Sequence, residues 1–292
     1  MAKGTLVIRR QIRSIGNTKK MTKAMELVSA SKMRRAVAAA LATRPYATTA
    51  WDILSRLDPR HDEQLHPLLA KRPVHTIGIV LISTNRGLCG GFNNALLSQM
   101  HACVAKEKAA GASQALIFSL GKKGGEYAAR FGYSIKADFP KNDITRSVVD
   151  ISPISHVISD MYIRGELDKV VLIAMQFVSS VKQRPVAKTL LPLEIEEVTE
   201  ENKKNHTPFL FEPSDSEVIE AILPRLLDVQ IFQAVLESEA SEHSARMLAM
   251  HNATSSASDL LSDLKLTYNQ IRQAGITQEI AEISSGRAAL ES

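Results

Sequence analysis

The chain ends in NQIRQAGITQEIAEISSGRAAL, residues 269–290, a helical stretch whose apolar residues change sides partway along. Up to Ile271 the apolar positions follow a 4-3 spacing that starts at Ile222 and runs through Leu226, Val229, Leu236, Ala240, Met247 and Met250. The spacing is cleanest at Leu261, Leu264, Tyr268 and Ile271, and it predicts a helix with a partner along that seam. Beyond Ile271 the same seam reads Gly275, Gln278, Glu282 and Ser285, all small or polar. The apolar positions move to Ile276, Ile280 and Ile283, roughly 100° around the cylinder. This predicts a second apolar face that the partner helix does not cover.

The helix is expected to start in EPSDSEVIEAIL, where Ser214 and Glu217 make an S-x-x-E capping box and Asp215 and Glu217 suit a positive helix end. Pro224 is the anomaly, expected to kink the first turns because it removes a hydrogen bond. The partner lies at the other end of the chain. Residues 4 to about 56 are rich in Ala, Met, Lys and Arg and lack proline before Pro45, so they read as one long helix. In heptads, Ile12, Lys19, Glu26 and Met33 take position a, and Ile8, Ile15, Thr22, Ser29 and Ala36 take position d. Here too an apolar set, Met21, Met25 and Val28, sits more than about 100° from the seam. The two ends are also matched in charge. Residues 1–44 hold eleven Lys or Arg and one acid; residues 214–292 hold five basic and twelve acidic residues.

Between the helices, VHTIGIVLIS, QALIFSL and KVVLIAMQFV read as buried strands. FNNALLSQMHACVAKEKAAG and SVVDISPISHVISDMYIRGEL read as helices, and VKQRPVAKTLLPLEI as a further strand or hairpin. The expected fold class is α/β: a long antiparallel coiled coil of N- and C-terminal helices plus a Rossmann-like α/β middle domain. The expected divisions are a helix at 1–56, a linker at 57–73, the α/β domain at 74–200, a connector at 201–213 and a helix at 214–292. At about 1.5 Å per residue the helices run to about 80 and about 110 Å. A middle domain of about 130 residues has a radius of gyration near about 14 Å, so it cannot sheathe them, and another protein is expected to cover the rest.

Several function classes are excluded or weakened. No apolar run approaches the roughly 20 residues that span a bilayer, so no direct membrane span is expected. The basic N-terminus lacks the apolar core of a secretory signal. Cys89 and Cys103 have no metal-ligand spacing and suggest a reducing compartment. A nucleic-acid arm is the rival reading of the basic end, but residues 1–44 contain no aromatic to stack on bases. A nucleotide-binding enzyme is the rival reading of the middle. Yet neither STNRGLCGGFNN, with Gly87, Gly90 and Gly91, nor GKKGGE at Gly121 has the spacing of a phosphate-binding loop. Cys89 at a helix start has no signature partner for nucleophilic work. His243 and His251, eight apart, cannot chelate one metal, and both read as surface or seam residues. The acids of the last helix read as a solvated face. Neither catalytic residues nor a metal or cofactor site is expected.

Four stretches carry a resemblance: IRRQIRSIGNTKKMTKAMELVSASKMRRA, STNRGLCGGFN, SEHSARMLAMHNAT and YNQIRQAGITQEIAEI. Together and in order they resemble the gamma-subunit family of F-type ATP synthases over essentially the whole chain. Gly286-Arg287 departs from the family's usual Gly-Ala, and the cysteine-bearing insert of chloroplast members is absent. The absence of a transit peptide adds the expectation of a bacterial-type member, peripheral on the cytoplasmic face of the inner membrane.

The resemblance implies a rotor shaft inside a ring of three alpha and three beta subunits. Its α/β domain would lie against the epsilon subunit and the c-ring, and proton-driven rotation would cycle the catalytic sites of the beta subunits. It also implies beta-subunit contacts at Arg272, Gln273, Thr277 and Glu279, beside Ile276, Ile280 and Ile283, and at Lys20, Lys23 and Met25. For c-ring or epsilon contact it suggests Phe209, Phe211 and Glu212.

Overall fold

The computed structural model describes residues 2–56, 66–141, 145, 147–193 and 215–291. The elements are α1 (Ala2–Arg56), β1 (Thr76–Ile82), α2 (Phe92–Ala109), β2 (Gln114–Leu120), α3 (Lys122–Arg130), β3 (Ser134–Phe139), α4 (Ser152–Ile163), β4 (Lys169–Phe177), β5 (Gln183–Leu191) and α5 (Asp215–Glu291). They fall into two compact units, Met1–Ser29 with Met247–Ser292, and Ala30–Arg246. The expected connector and its Phe209, Phe211 and Glu212 lie outside the described residues, as does Ser214 of the expected capping box.

The second unit is built on a sheet of order β3-β2-β1-β4-β5, in which the first four strands are parallel and β5 runs antiparallel to β4. Successive side chains of a strand point to opposite faces, so two cores form. On one face Val80, Ile82, Phe118 and Leu172 pack with Ile158 and Tyr162 of α4 and with Leu223, Leu226 and Val235 of α5. On the other, Ile79, Leu81, Ile117 and Ile173 pack with Leu96, Met100 and Val104 of α2. Covering on both faces is what a parallel sheet requires, and it explains why β1 and β4 read as continuous apolar runs. Each such side chain, fully buried, contributes roughly 1.5–3 kcal/mol.

Two elements go beyond the sequence reading. GKKGGE opens helix α3, whose glycines serve packing. Gly121 has φ +103°, and a Cβ there would lie 2.5 Å from the Ser83 carbonyl oxygen; one on Gly124 would lie 2.6 Å from Ser83 Oγ. The close approach is held by Gly124 N–H donating to Ser83 Oγ at 2.7 Å. Strand β3 sits at the sheet edge with alternating exposure, so it carries no continuous apolar run to find. The helix predicted from Ser147 begins instead at Ser152, after a 3-10 turn (Val148–Asp150) with its own capping box from Ser147 and Asp150. Helix α5 neither starts nor stops at Pro224, which lies inside it.

In the first unit the expected seam positions Thr22 and Ser29 of α1 and Met250 of α5 are buried, and so is Ala257, one heptad beyond Met250. Three polar contacts cross the pair, and the second Glu26 oxygen, Oε2, is buried without a partner. Thr254 Oγ1 donates to Thr22 Oγ1 at 2.8 Å, Lys19 Nζ donates to Ser258 Oγ, and His251 Nδ1 lies 3.3 Å from Glu26 Oε1. The numbers of these paired residues add to 276 or 277, so the helices run antiparallel and α5 passes the start of α1 at about Ile276.

Candidate functional site

Two features stand out, one exposed and one buried. On the helix pair, Met21 (59%), Val28 (56%), Ile276 (50%), Ile280 (62%) and Ile283 (73%) stand open to solvent, with Met25 less so. Scattered exposed apolar residues are ordinary; these recur at helical spacing on faces turned from the seam. Arg272, Gln273, Thr277 and Glu279 are exposed among the isoleucines, at i, i+3 and i+4 steps that place them on neighbouring parts of the same helix. Lys20 is exposed, and Lys23 Nζ pairs with Glu26 Oε1 at 2.9 Å. The residues form two patches. By the pairing register, Lys20 lies opposite residue 257, which places the Lys20–Val28 patch about 30 Å or more along the helix from Ile276.

The buried feature belongs to the other unit. Glu239, Glu242 and Arg246 follow one another at i, i+3 and i+7, on one side of α5. Glu239 accepts from the Thr145 backbone N–H at 3.1 Å and from its hydroxyl at 2.5 Å. Lys141 Nζ donates to Glu242 Oε2 at 2.8 Å and to the Ser83 carbonyl, just past β1, at 3.1 Å. Arg246 donates to the other Glu242 oxygen at 2.9 Å and to the carbonyls of Arg86 and Gly87. Ser241 Oγ reaches the Met175 carbonyl near the end of β4. Ser244 Oγ donates to the Ser180 carbonyl in the β4–β5 turn.

The acids expected on a solvated face are therefore divided. Asp228, Glu239 and Glu242 are buried, while Glu217, Glu220, Asp259, Asp263, Glu279 and Glu282 are exposed. The reading missed this because it followed apolar periodicity alone. A usable signal was there: Glu239, Glu242 and Arg246 lie along the helix beside the seam residues Leu236, Ala240 and Met247.

Burial sets the electrostatics. It pushes the Glu239 carboxyl above its ordinary range against the pull of the Lys141 ammonium and the Thr145 bonds. Burial also acts to raise Glu242, but the Lys141 and Arg246 charges outweigh it and hold that carboxyl below the ordinary value. His243 is buried, and desolvation, joined by the Arg246, Lys32 and Lys141 cations, lowers its imidazole to about 4. It is thus neutral in the fold, whereas an unfolded chain takes up the proton below pH 6.5. Its contribution is complete above pH 6.5, declines as pH falls, and is lost through pH 4; it amounts to about 3 kcal/mol. Urea unfolding should show stability falling between pH 6.5 and 4, with His243→Gln flattening that slope. An equal slope in the variant would assign it to other groups.

The glycine-rich turn resembles a tight strand-to-helix connection. Asn93 Nδ2 donates to Thr84 Oγ1 at 2.9 Å, and the Arg246 bonds pin its carbonyls. Cys89 is buried and desolvation raises its thiol, which opposes a nucleophile. In open α/β sheets ligands sit at the carboxyl ends of the strands. Here α5 contributes Glu239 to Arg246 to that edge. Among the described residues no group of His, Cys, Asp or Glu could hold a metal ion.

Comparison with known proteins gives a consistent picture. The ATP synthase family profile matches residues 5–290. The chain is 41% identical to the ATP synthase gamma chain of Herpetosiphon aurantiacus over 97% of both chains. It is 36% identical to that of Legionella pneumophila strain Corby over 98% of this chain and 99% of the relative. In fold it is similar to a chain of the Euglena gracilis mitochondrial ATP synthase rotor, with TM-score 0.64 and 17% identity over 94% of this chain and 100% of that one.

Proposed function

The chain belongs to the ATP synthase gamma chain family, and from that premise we propose that it is the central rotor shaft of an F-type proton-translocating ATP synthase. The observation that carries this reading is the pair of exposed apolar faces on α1 and α5, which require a protein wall outside this chain. Three alpha and three beta subunits supply that wall, and the epsilon subunit and c-ring meet the α/β body. The helical arms 1–56 and 214–292 form the shaft, residues 74–200 the body, and 57–73 and 201–213 the links between them.

The mechanism is differential contact. A wall of approximate three-fold symmetry surrounds a shaft that has none, so each beta subunit meets a different surface. Those contacts bias each catalytic site toward a different nucleotide affinity, and rotation passes the bias from site to site. Arg272, Gln273, Thr277 and Glu279 supply polar contacts to beta subunits around Ile276, Ile280 and Ile283. Lys20, Lys23 and Met25 serve at the lower patch, and Phe209, Phe211 and Glu212 face the c-ring or epsilon. Small residues at the tip, among them Ala274, Gly275, Ala281 and Ser284, limit interlocking and let the surface slide.

The chain has no catalytic site, metal or cofactor of its own in this reading, and sits peripherally on the cytoplasmic side of a bacterial membrane. No helix among the described residues is long and apolar enough to cross a membrane. The test is a gentle purification through a C-terminal tag on a long linker, followed by native mass and subunit composition. A complex with three alpha and three beta copies per tagged chain is expected. A lone or self-associated chain, with the hexamer intact elsewhere in the extract, would sink the reading.

A further inference from the structure

The buried clasp has a cost that the rest of the body avoids. Glu239 is 1% exposed and Glu242 8%, Lys141 is 8% exposed, and apolar residues up to Leu236, with Ala245 beyond, pack α5 against the body. Desolvating such groups is expensive, and well-packed apolar replacements are often equally stable or more so. What the charged bonds add is direction. Apolar burial is non-directional and leaves a helix free to roll or slip by small amounts. Charge-assisted hydrogen bonds fix both its angle and its register.

The clasp is arranged to resist turning. Its bonds leave α5 at 239, 242 and 246 and end on two segments: the stretch after β3, at Lys141 and Thr145, and the 83–87 turn. Ser241 and Ser244 add bonds to the β4 end and the β4–β5 turn. A rotation of the helix within the body could not keep all of these distances at once. They act about 5–6 Å from the helix axis, so any tangential component of these bonds opposes rotation with that lever arm.

We propose that the clasp of Glu239, Glu242 and Arg246 with Thr145, Lys141 and the 83–87 turn is the torque joint that fastens the C-terminal helix to the α/β body. The inference rests on the shaft reading and names positioning residues within it. The part of the torque that leaves the body through α5 passes this joint, which sets how much of that part is lost to slip. Catalysis by the hexamer does not itself need the joint; transmission under load does.

The experiment uses the assembled complex in inverted membrane vesicles. Lys141→Met with Glu242→Met removes both charges of the central pair at nearly constant volume. ATP hydrolysis is expected to stay within about twofold of wild type, while protons pumped per ATP fall by about threefold or more against a large opposing gradient. Thr145→Val removes a single hydroxyl donor and is expected to give a smaller loss of the same kind, should the double variant fail to assemble. Lys169→Met with Glu107→Met is the control. That partly buried pair, at 2.7 Å, ties α2 to β4, and among the described residues neither side chain has a hydrogen bond or ion pair to α5, so pumping per ATP should be unchanged. Unchanged pumping under load in both clasp variants would overturn the proposal, and so would an equal loss in the control. Intact coupling in complexes lacking this chain altogether is a separate result, and would overturn the shaft reading instead.

Discussion

Lys141→Met alone is expected to lower the stability of the α/β body by about 3 kcal/mol, because the lysine is the shared cation of two buried carboxylates. The loss is at the low end for breaking a buried pair, since Arg246 still meets Glu242 at 2.9 Å. For a unit of this size the loss corresponds to a fall of about 10 °C in Tm. Adding Glu242→Met should recover part of it: the central pair is then apolar on both sides, while Glu239 still lacks its cation and Arg246 its carboxylate. Thermal melts of the purified chains followed by circular dichroism would decide. A single variant melting with the wild type would mean that the carboxylates are not held by Lys141.

Replacing Ile276, Ile280 and Ile283 together by Ser should have the opposite profile. All three are at least half exposed, so the chain should fold and melt unchanged. In the assembled complex each would lose a contact worth roughly 1.5–3 kcal/mol if fully covered. ATP synthesis should therefore fall by at least about tenfold, since 1.4 kcal/mol corresponds to that factor. Arg272→Ala should produce a smaller loss on the same assay, also without effect on folding. Synthesis at the wild-type rate by the triple variant would remove the tip from the mechanism. A drop in its melting temperature would show that the face is packed within the chain.

Much of this was legible in the sequence because it depends on period. The 4-3 seam, the apolar runs of β1, β2 and β4, and the displaced faces at Met21 and Ile276 are all statements about which side of an element is greasy. Elements whose stability comes from other terms were not legible. Strand β3 is short and half exposed, and α3 begins at glycines that look like a loop until Ser83 is seen lying against them. The clasp was hidden for a related reason. A carboxylate beside a seam looks solvated in sequence, and only the fold brings Lys141 and Thr145, about a hundred residues away, to meet it.

The polar seam of the helix pair has a mechanical consequence. Lys19, Thr22 and Glu26 of α1 meet Ser258, Thr254 and His251 of α5 through directional contacts, so sliding one helix along the other would break them together. An apolar seam alone would resist such sliding less, because apolar burial has no preferred direction. The paired section therefore behaves as a laminated beam whose two layers are pinned against shear.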